Sequence, residues 1–408
     1  MIESEVNLLL HDSLVSGNKI AFYGRLRNRL PQALHIVQSL AVENGGTSVS
    51  VPAIAGATAS TGRYVNSLVH FGPREVSLPE PYPGLTLLQH PASSMSLRFP
   101  GRSRAFLRDA VRSSDVIQIH GIWTGHCSSA LTFAARFRKP VIVSAHGMLD
   151  SWALRHKSWK KAPYSRFVER PGISRATCLR ALTRVEAGNY REYGLNLPIA
   201  VIPNGVVAPE SATSTEFLEK FPRLRGKKIL LFLGRVHKKK GVDLLVKAWE
   251  TVSGQFSDAH LVIAGPDDGA LPPLISDSIT VCGLLTGSLK WSALAAASAF
   301  ALPSFSEGLS MATLEALWQG VPVMITRECN FREVEALDCA FLIEPSVESI
   351  ITGLKNVFAR SAGELLARGK VGADFVRARY AWSMVGQQMA DVYDWMGGGP
   401  RPSSLFVE

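Results

Sequence analysis

Apolar residues gather along this chain in short continuous bursts. ALHIVQSL (33–40), YVNSLVHF (64–71), LTLLQH (85–90), DVIQIH (115–120), PVIVSAH (140–146), CLRALT (178–183) and IAVIPN (199–204) form a first series. KILLFLG (228–234), AHLVIAG (259–265), ITVCG (279–283), AFALPS (299–304), VPVMIT (321–326) and CAFLIE (339–344) form a second. Most are apolar over four or more consecutive positions, as in parallel strands covered on both faces. Helices fit between consecutive members, so the pattern predicts an α/β chain with two doubly wound domains. The polar, proline-containing stretch 206–228 separates the two series and reads as the link. The expected organisation is an extension over 1–32, a first domain over 33–205, a second over 206–373, a helix over 374–396 returning to the first domain, and a flexible tail over 397–408. Ligands of such sheets bind beyond the carboxyl ends of the strands, which places a shared site in the central cleft.

Composition narrows the class. With 46% hydrophobic and 19% charged residues, the chain has the make-up of a soluble globular protein. No run reaches the ~18 apolar residues of a spanning helix, and the richest stretch, 291–303, ends at Pro303. No secretory signal opens the sequence. Cys127, Cys178, Cys282, Cys329 and Cys339 are widely spaced with no C-x-x-C, which argues against a disulfide framework or zinc site and for a reducing cytoplasm. The net charge of +10 is uneven: residues 151–180 hold eight Lys or Arg and one acid, Glu169, interleaved with Trp152, Leu154, Trp159, Tyr164 and Phe167. Such a segment suits an anionic membrane surface or a lipid diphosphate; it reads equally as a solvated helix. Charge alone suggests nucleic acid, and no zinc spacing or RNP-like motif supports it.

The chemistry concentrates in SFSEGLSMATLEALWQGVPV, which begins at Ser304 and sets Glu307 eight positions before Glu315. A strand ends at Pro303; Ser310 can cap a helix running to about Gln319, with Gly320 as its stop. The helix start offers N–H groups at Leu309 to Ala312 and a positive dipole end, a site for a phosphate. Glu315, about 7 Å up the axis at 1.5 Å per residue, can accept hydrogen bonds from vicinal ribose hydroxyls, and Glu307 projects on the other side, where a sugar would sit. The bland alternative is a capped surface helix with two solvated acids. GRVHKKKG (234–241) changes the balance, because Arg235 and Lys240 leave a strand end where they can converge on a phosphate. Lys238 and Lys239 read as solvated charges.

These motifs together resemble a known family. G-R-x-x-x-x-K-G after a strand, L-V-I-A-G-P-D (261–267), P-S-x-S-E-G-x-x-M-x-x-L-E-A-x-x-x-G-V-P-V and I-P-N-G (202–205) resemble the family 4 retaining glycosyltransferases of GT-B fold, two Rossmann-like domains facing a central cleft. H-G-I-W (120–123) and S-A-H-G-M-L-D-S-W-A-L (144–154) resemble bacterial members that build surface polysaccharides. The resemblance covers roughly 33–396. It implies that Glu315 meets the ribose, Glu307 the donor sugar, and Arg235 and Lys240 the diphosphate. The amides of Leu309, Ser310 and Met311, with Gly308, then form the loop on sugar and phosphate. His146 faces the donor sugar, Gly46 lies in a glycine-rich turn near the phosphates, and Gly283 and Leu284 meet the base. His120 is a weaker candidate at a second strand end, with a satisfied structural histidine as its plainer reading. Gly-Leu-Ser after Glu307 departs from the more frequent Gly-Phe-Gly, which bears on donor selectivity.

The implied reaction takes a nucleotide-diphosphate sugar as donor and a saccharide or polyprenyl-diphosphate-linked saccharide as acceptor, with retention, no cofactor and no metal. The chain contains no D-x-D, and the basic pair takes over neutralisation of the leaving group. A peripheral place on the inner face of the cytoplasmic membrane follows for the basic segment. A nucleotide-binding oxidoreductase would need a G-x-G-x-x-G that the chain lacks. A sugar-nucleotide epimerase, a phosphorylase or a non-catalytic scaffold of the same fold stay open as alternatives.

Overall fold

A computed structural model of the chain describes residues 29–41, 46–72, 82–90, 101–150, 163–206, 209 and 212–407. Most of the extension read over 1–32, and residues 151–162 of the basic segment, with Arg155, Lys157, Lys160 and Lys161, lie outside the described residues. Pro31–Glu408 forms one compact unit.

The first half runs β1 (Gln32–Val37), α1 (Gly46–Ala59), β2 (Val65–His70), β3 (Leu85–Gln89), α2 (Gly101–Ser113), β4 (Val116–His120), α3 (Gly125–Phe137), β5 (Val141–Ser144), β6 (Cys178–Ala181), α4 (Arg184–Glu192) and β7 (Ile199–Val201). The second runs β8 (Lys228–Leu233), α5 (Val242–Val252), β9 (Ala259–Ala264), β10 (Ile279–Gly283), α6 (Gly287–Ala296), β11 (Ala297–Leu302), α7 (Met311–Trp318), β12 (Val323–Thr326), β13 (Ala340–Ile343), α8 (Val347–Phe358) and α9 (Ala362–Arg379). The chain closes with α10 (Trp382–Met396) and β14 (Phe406–Val407).

Two sheets result, with strand orders β14-β7-β6-β5-β4-β1-β2-β3 and β10-β9-β8-β11-β12-β13. All pairings are parallel except β14 on β7. The strand order reverses between β1 and β4 in the first sheet and between β8 and β11 in the second, and the crevice at such a reversal is where doubly wound sheets hold ligands. Alternation divides the faces of the first sheet. Leu34, Ile36, Ile117, Ile119, Val141, Val143 and Leu179 join the core on one face. Ala33, Val116, Ile142, Cys178 and Ala200 join the other, against Ile54 and Ala57 of α1 and Val385 and Met389 of α10. The second half is built round one core that includes Leu230, Phe232, Trp249, Ile263, Phe300 and Leu314.

Two expectations for the C-terminal region need correction. The helix read as continuous over 374–396 is broken: Tyr380 and Ala381 leave helical geometry between α9 and α10. The break serves the crossing between halves, because the Val206 N–H donates to the Tyr380 carbonyl at 2.7 Å and Val206 pairs with Ala381 as a parallel bridge. The tail read as flexible is tied down. Phe406 and Val407 add an antiparallel strand to Ala200 and Ile199, with the Phe406 ring edge-on to Trp395 and under the Arg401 guanidinium.

Candidate functional site

At the reversal in the second sheet, the loops after β8 and β11 lie against each other. Gly241, at φ +66°, has the Pro303 carbonyl oxygen 2.2 Å from the place a Cβ would occupy, so only glycine fits. The Phe305 N–H donates to the Lys239 carbonyl at 2.8 Å. The contact brings Lys240 Nζ to 2.6 Å from Glu307 Oε1, and Ser304 Oγ lies 2.6 Å from the same oxygen. The Glu307 main chain is fixed from the β12 side: its N–H donates to the Glu328 carbonyl at 2.8 Å and its carbonyl accepts from Asn330 Nδ2 at 2.5 Å.

Ser310 caps α7 as its sequence predicts, its Oγ accepting from the Thr313 N–H at 3.2 Å. The first intrahelical bond runs from the Leu314 N–H to the Ser310 carbonyl, so the amides of Leu309, Ser310 and Met311 stand ahead of it. Glu315, in the second turn and 9% exposed, pairs with Lys290 of α6 at 2.8 Å. Lys290 Nζ also sits 4.8 Å from the Trp291 ring centroid. Gly283 ends β10 at φ +65°, and Leu284 beyond it is exposed.

The first half supplies the opposite wall. His146, just past β5, takes the left-handed φ of +54° and Gly147 follows at +75°. Such angles are costly for a residue with a Cβ, and a buried carboxylate holds the turn: Glu186 accepts from the Gly147 N–H and the Leu182 N–H, each at 2.7 Å. Burial pushes the Glu186 carboxyl above its usual range, against the pull of those two amides. The turn packs on the donor-side loop, with Gly308 Cα 3.2 Å from the Cβ position of Gly147. His146 Nε2 lies 3.1 Å from His120 Nδ1. Burial, with a smaller contribution from the Arg180 charge, lowers the His146 pKa to about 3, so the ring is neutral at physiological pH. Four residues on, Asp150 Oδ2 accepts from Ser306 Oγ at 2.7 Å and lies 3.7 Å from Lys239 Nζ.

The structure thus gathers Lys240, Glu307, Gly308 and the His146–Gly147 turn. Glu315 stands on the helix that follows and meets Lys290 rather than another predicted residue. Arg235, earlier in the same loop and exposed, has its guanidinium 3.4 Å from Asp268. Gly46 opens α1 at the carboxyl end of β1, with open space at its Cβ position. Lys239, read as solvated, instead has a 23% exposed side chain directed at Asp150, because the loop after β8 is pressed against the first half there; Lys238 is exposed as expected. Sequence reasoning passed over Asp150, although it stands inside the S-A-H-G-M-L-D motif that carries His146. It also passed over Lys290, which no local pattern marks. Among the described residues, no group of three or more His, Cys, Asp or Glu could hold a metal ion, and no helix is long and apolar enough to cross a membrane.

Comparison with known proteins agrees with this architecture. Residues 31–205 match the family model described as glycosyl transferase 4-like domain, and residues 227–360 match that of glycosyl transferases group 1. A Mycobacterium tuberculosis GDP-mannose-dependent alpha-(1-6)-phosphatidylinositol monomannoside mannosyltransferase is 24% identical over 336 residues, covering 76% of this chain and 83% of the relative. A D-inositol 3-phosphate glycosyltransferase of Xylanimonas cellulosilytica is 27% identical over 354 residues, covering 76% and 82%. One component of the human phosphatidylinositol N-acetylglucosaminyltransferase is 28% identical over 204 residues, but that match spans 48% of this chain and only 41% of the relative. Among solved structures, sucrose-phosphate synthase from Thermosynechococcus elongatus superposes with a TM-score of 0.68 at 16% identity, covering 91% of this chain and 100% of that one. Anabaena HepE in complex with UDP-glucose gives 0.68 at 15%, covering 89% and 99%. At such identities these structures speak for the fold, which is GT-B. With two halves wound alike, paired acids and bases at the sheet reversal, and both family models matched in order, the chain belongs to the family 4 glycosyltransferases.

Proposed function

We propose that the chain is a retaining hexosyltransferase. It takes its sugar from a nucleotide-diphosphate donor and passes it to a saccharide or polyprenyl-diphosphate-linked saccharide in cell-surface polysaccharide assembly. The observation that carries the reading is the Lys240–Glu307 pair at the second sheet's reversal, met across the cleft at Gly308 by the His146–Gly147 turn. The relatives' names, which include GDP-mannose and phosphatidylinositol, and the UDP-glucose of HepE support a nucleotide-sugar donor.

Departure of the nucleoside diphosphate builds negative charge on the β-phosphate and positive charge on the anomeric carbon. Lys240, Arg235 and the first amides of α7 offset the first; Glu307 and His146 orient the sugar. Glu315 takes the ribose hydroxyls, and Lys290, 2.8 Å from its Oε1, holds that carboxylate in place until they arrive. The leaving phosphate accepts the acceptor's proton on the face it departs from, so the configuration is kept and no side chain need become a covalent nucleophile. The acceptor enters over the first half, and peripheral contact with an anionic membrane rests on the basic sequence of 151–180.

Titration calorimetry with UDP, GDP and ADP identifies the base. Lys240→Ala is expected to weaken the preferred diphosphate at least tenfold. Glu307→Gln should leave that affinity within about twofold while turnover collapses, the signature of a group that acts on the sugar. Full turnover in Glu307→Gln sinks the site, and a product of inverted anomeric configuration sinks retention.

A further inference from the structure

Behind His146 two more imidazoles stand in file, crossing the first sheet at its own reversal. His146 Nε2 is 3.1 Å from His120 Nδ1, and His120 Nε2 is 3.1 Å from His35 Nδ1. The rings are stacked, with centroids 5.3 and 5.4 Å apart. His35 Nε2 then reaches Asn66 Oδ1 at 3.2 Å and Tyr393 Oη of α10 at 3.4 Å. His35 and His120 are buried on the α10 face of the sheet, where the apolar pattern turns polar toward the carboxyl ends of β1 and β4. Burial keeps all three imidazoles uncharged: His35 is lowered to about 4, His146 to about 3 and His120 well below its ordinary value.

Each contact in the file is nitrogen to nitrogen and therefore needs one proton. Neutral imidazoles carry one proton each, so the file has two consistent registers. Either every ring carries its proton on Nε2 and donates inward, or every ring carries it on Nδ1 and donates outward. The inner end decides. Asn66 presents its carbonyl oxygen, which only accepts, and Tyr393 gives its own proton to Gln118 Oε1, leaving its oxygen to accept. Both call for a proton on His35 Nε2. The register then propagates, and His146 is left with Nε2–H turned inward and Nδ1 bare.

We propose that His35 and His120 are positioning residues: anchored by Asn66 and Tyr393, they fix His146 as the Nε2–H tautomer, whose bare Nδ1 accepts a hydrogen bond from a hydroxyl of the donor sugar. This rests on His146 facing that sugar. It also ties α10, at the far end of the sequence, to the orientation of a group in the cleft.

The first measurement needs no substrate. Long-range proton–nitrogen spectra of protein labelled with 15N-histidine should show His146 protonated on Nε2 and bare on Nδ1 at neutral pH. His120→Leu, which breaks the file, should give a tautomer mixture; His120→Asn, whose amide oxygen can still accept from His146, should restore the single form. Tyr393→Phe removes one oxygen and leaves the packing, and should give a weaker mixture even if His120→Leu folds poorly. In turnover, His120→Leu should lose about tenfold in kcat with the nucleoside diphosphate affinity within about twofold, and His120→Asn should recover most of it. A wild-type His146 protonated on Nδ1, or a tautomer indifferent to both His120→Leu and Tyr393→Phe, overturns the file. The expected tautomer change with unaltered kcat overturns His146 as the acceptor for the sugar hydroxyl while leaving the file in place.

Discussion

Acidification should unfold this protein through its first half. His35, His120 and His126 are at most 3% exposed. Burial holds His35 at about 4 and His126 at about 3, from an ordinary 6.5, with His120 moved the same way. Between pH 6.5 and 4 the unfolded chain binds protons at these sites and the native chain does not. Their stabilising contribution is therefore complete above about pH 6.5 and is lost as pH falls toward the folded values. One pH unit is worth about 1.4 kcal/mol per group, so at pH 5 His35 and His126 have each lost about 2 kcal/mol, about 4 kcal/mol together, with His120 acting in the same direction; that is a large part of an ordinary 5–15 kcal/mol margin. Glu169 and Glu186 oppose the trend, since burial raises both and the fold takes up their protons first. Urea midpoints measured from pH 7.5 to 5 should fall steadily below pH 6.5. His126→Phe should flatten the pH dependence of the unfolding free energy by about one proton, about 1.4 kcal/mol per pH unit. A midpoint constant over that range would refute the reasoning.

Three further outcomes are expected. Gly386→Ala sets a Cβ 2.3 Å from the Ala57 carbonyl oxygen, so α1 and α10 must part; the unfolding free energy from urea titration should fall by about 1–3 kcal/mol, and an unchanged midpoint contradicts that packing. Asp150→Ala removes the acceptor of the Ser306 hydroxyl and the partner of Lys239. Loss of a hydrogen bond to a charged group, about 1.5–3 kcal/mol, should lower kcat/KM about tenfold or more with the circular dichroism unaltered, and a wild-type kcat/KM means the contact does not join the halves for catalysis. Turnover should survive excess chelator, because in the proposed mechanism Lys240 and Arg235 supply the positive charge at the diphosphate; abolition by EDTA would show that a cation is needed.

The strands were legible because both faces of each sheet are covered, which leaves apolar bursts that no loop imitates. Their spacing also exposed the two winding series. What escaped was whatever depends on a distant partner. Nothing near Tyr380 announces that its carbonyl will meet Val206, and Phe406 reads as tail until β7 offers it an edge. In the site, Glu307, Lys240 and the Ser310 cap could be read because each sits at a strand end or helix start with a defined local geometry. Lys239 and Lys238 look identical in sequence, and only the approach of Asp150 separates them. His35, in mid-strand, reads as a polar interruption of an apolar burst; its partners Asn66, His120 and Tyr393 come from three other elements.

The placement of α10 has a consequence for biosynthesis. Ala53, Ile54 and Ala57 of α1 find their cover in Trp382, Val385 and Met389, which leave the ribosome only after the whole second half has been made. During translation the nascent first half carries a bare apolar flank for the time needed to synthesise roughly two hundred residues, at 5–20 residues per second on the order of ten to forty seconds. Over that interval the flank is apolar surface open to aggregation, the kind of surface that chaperones cover, until α10 emerges to close it.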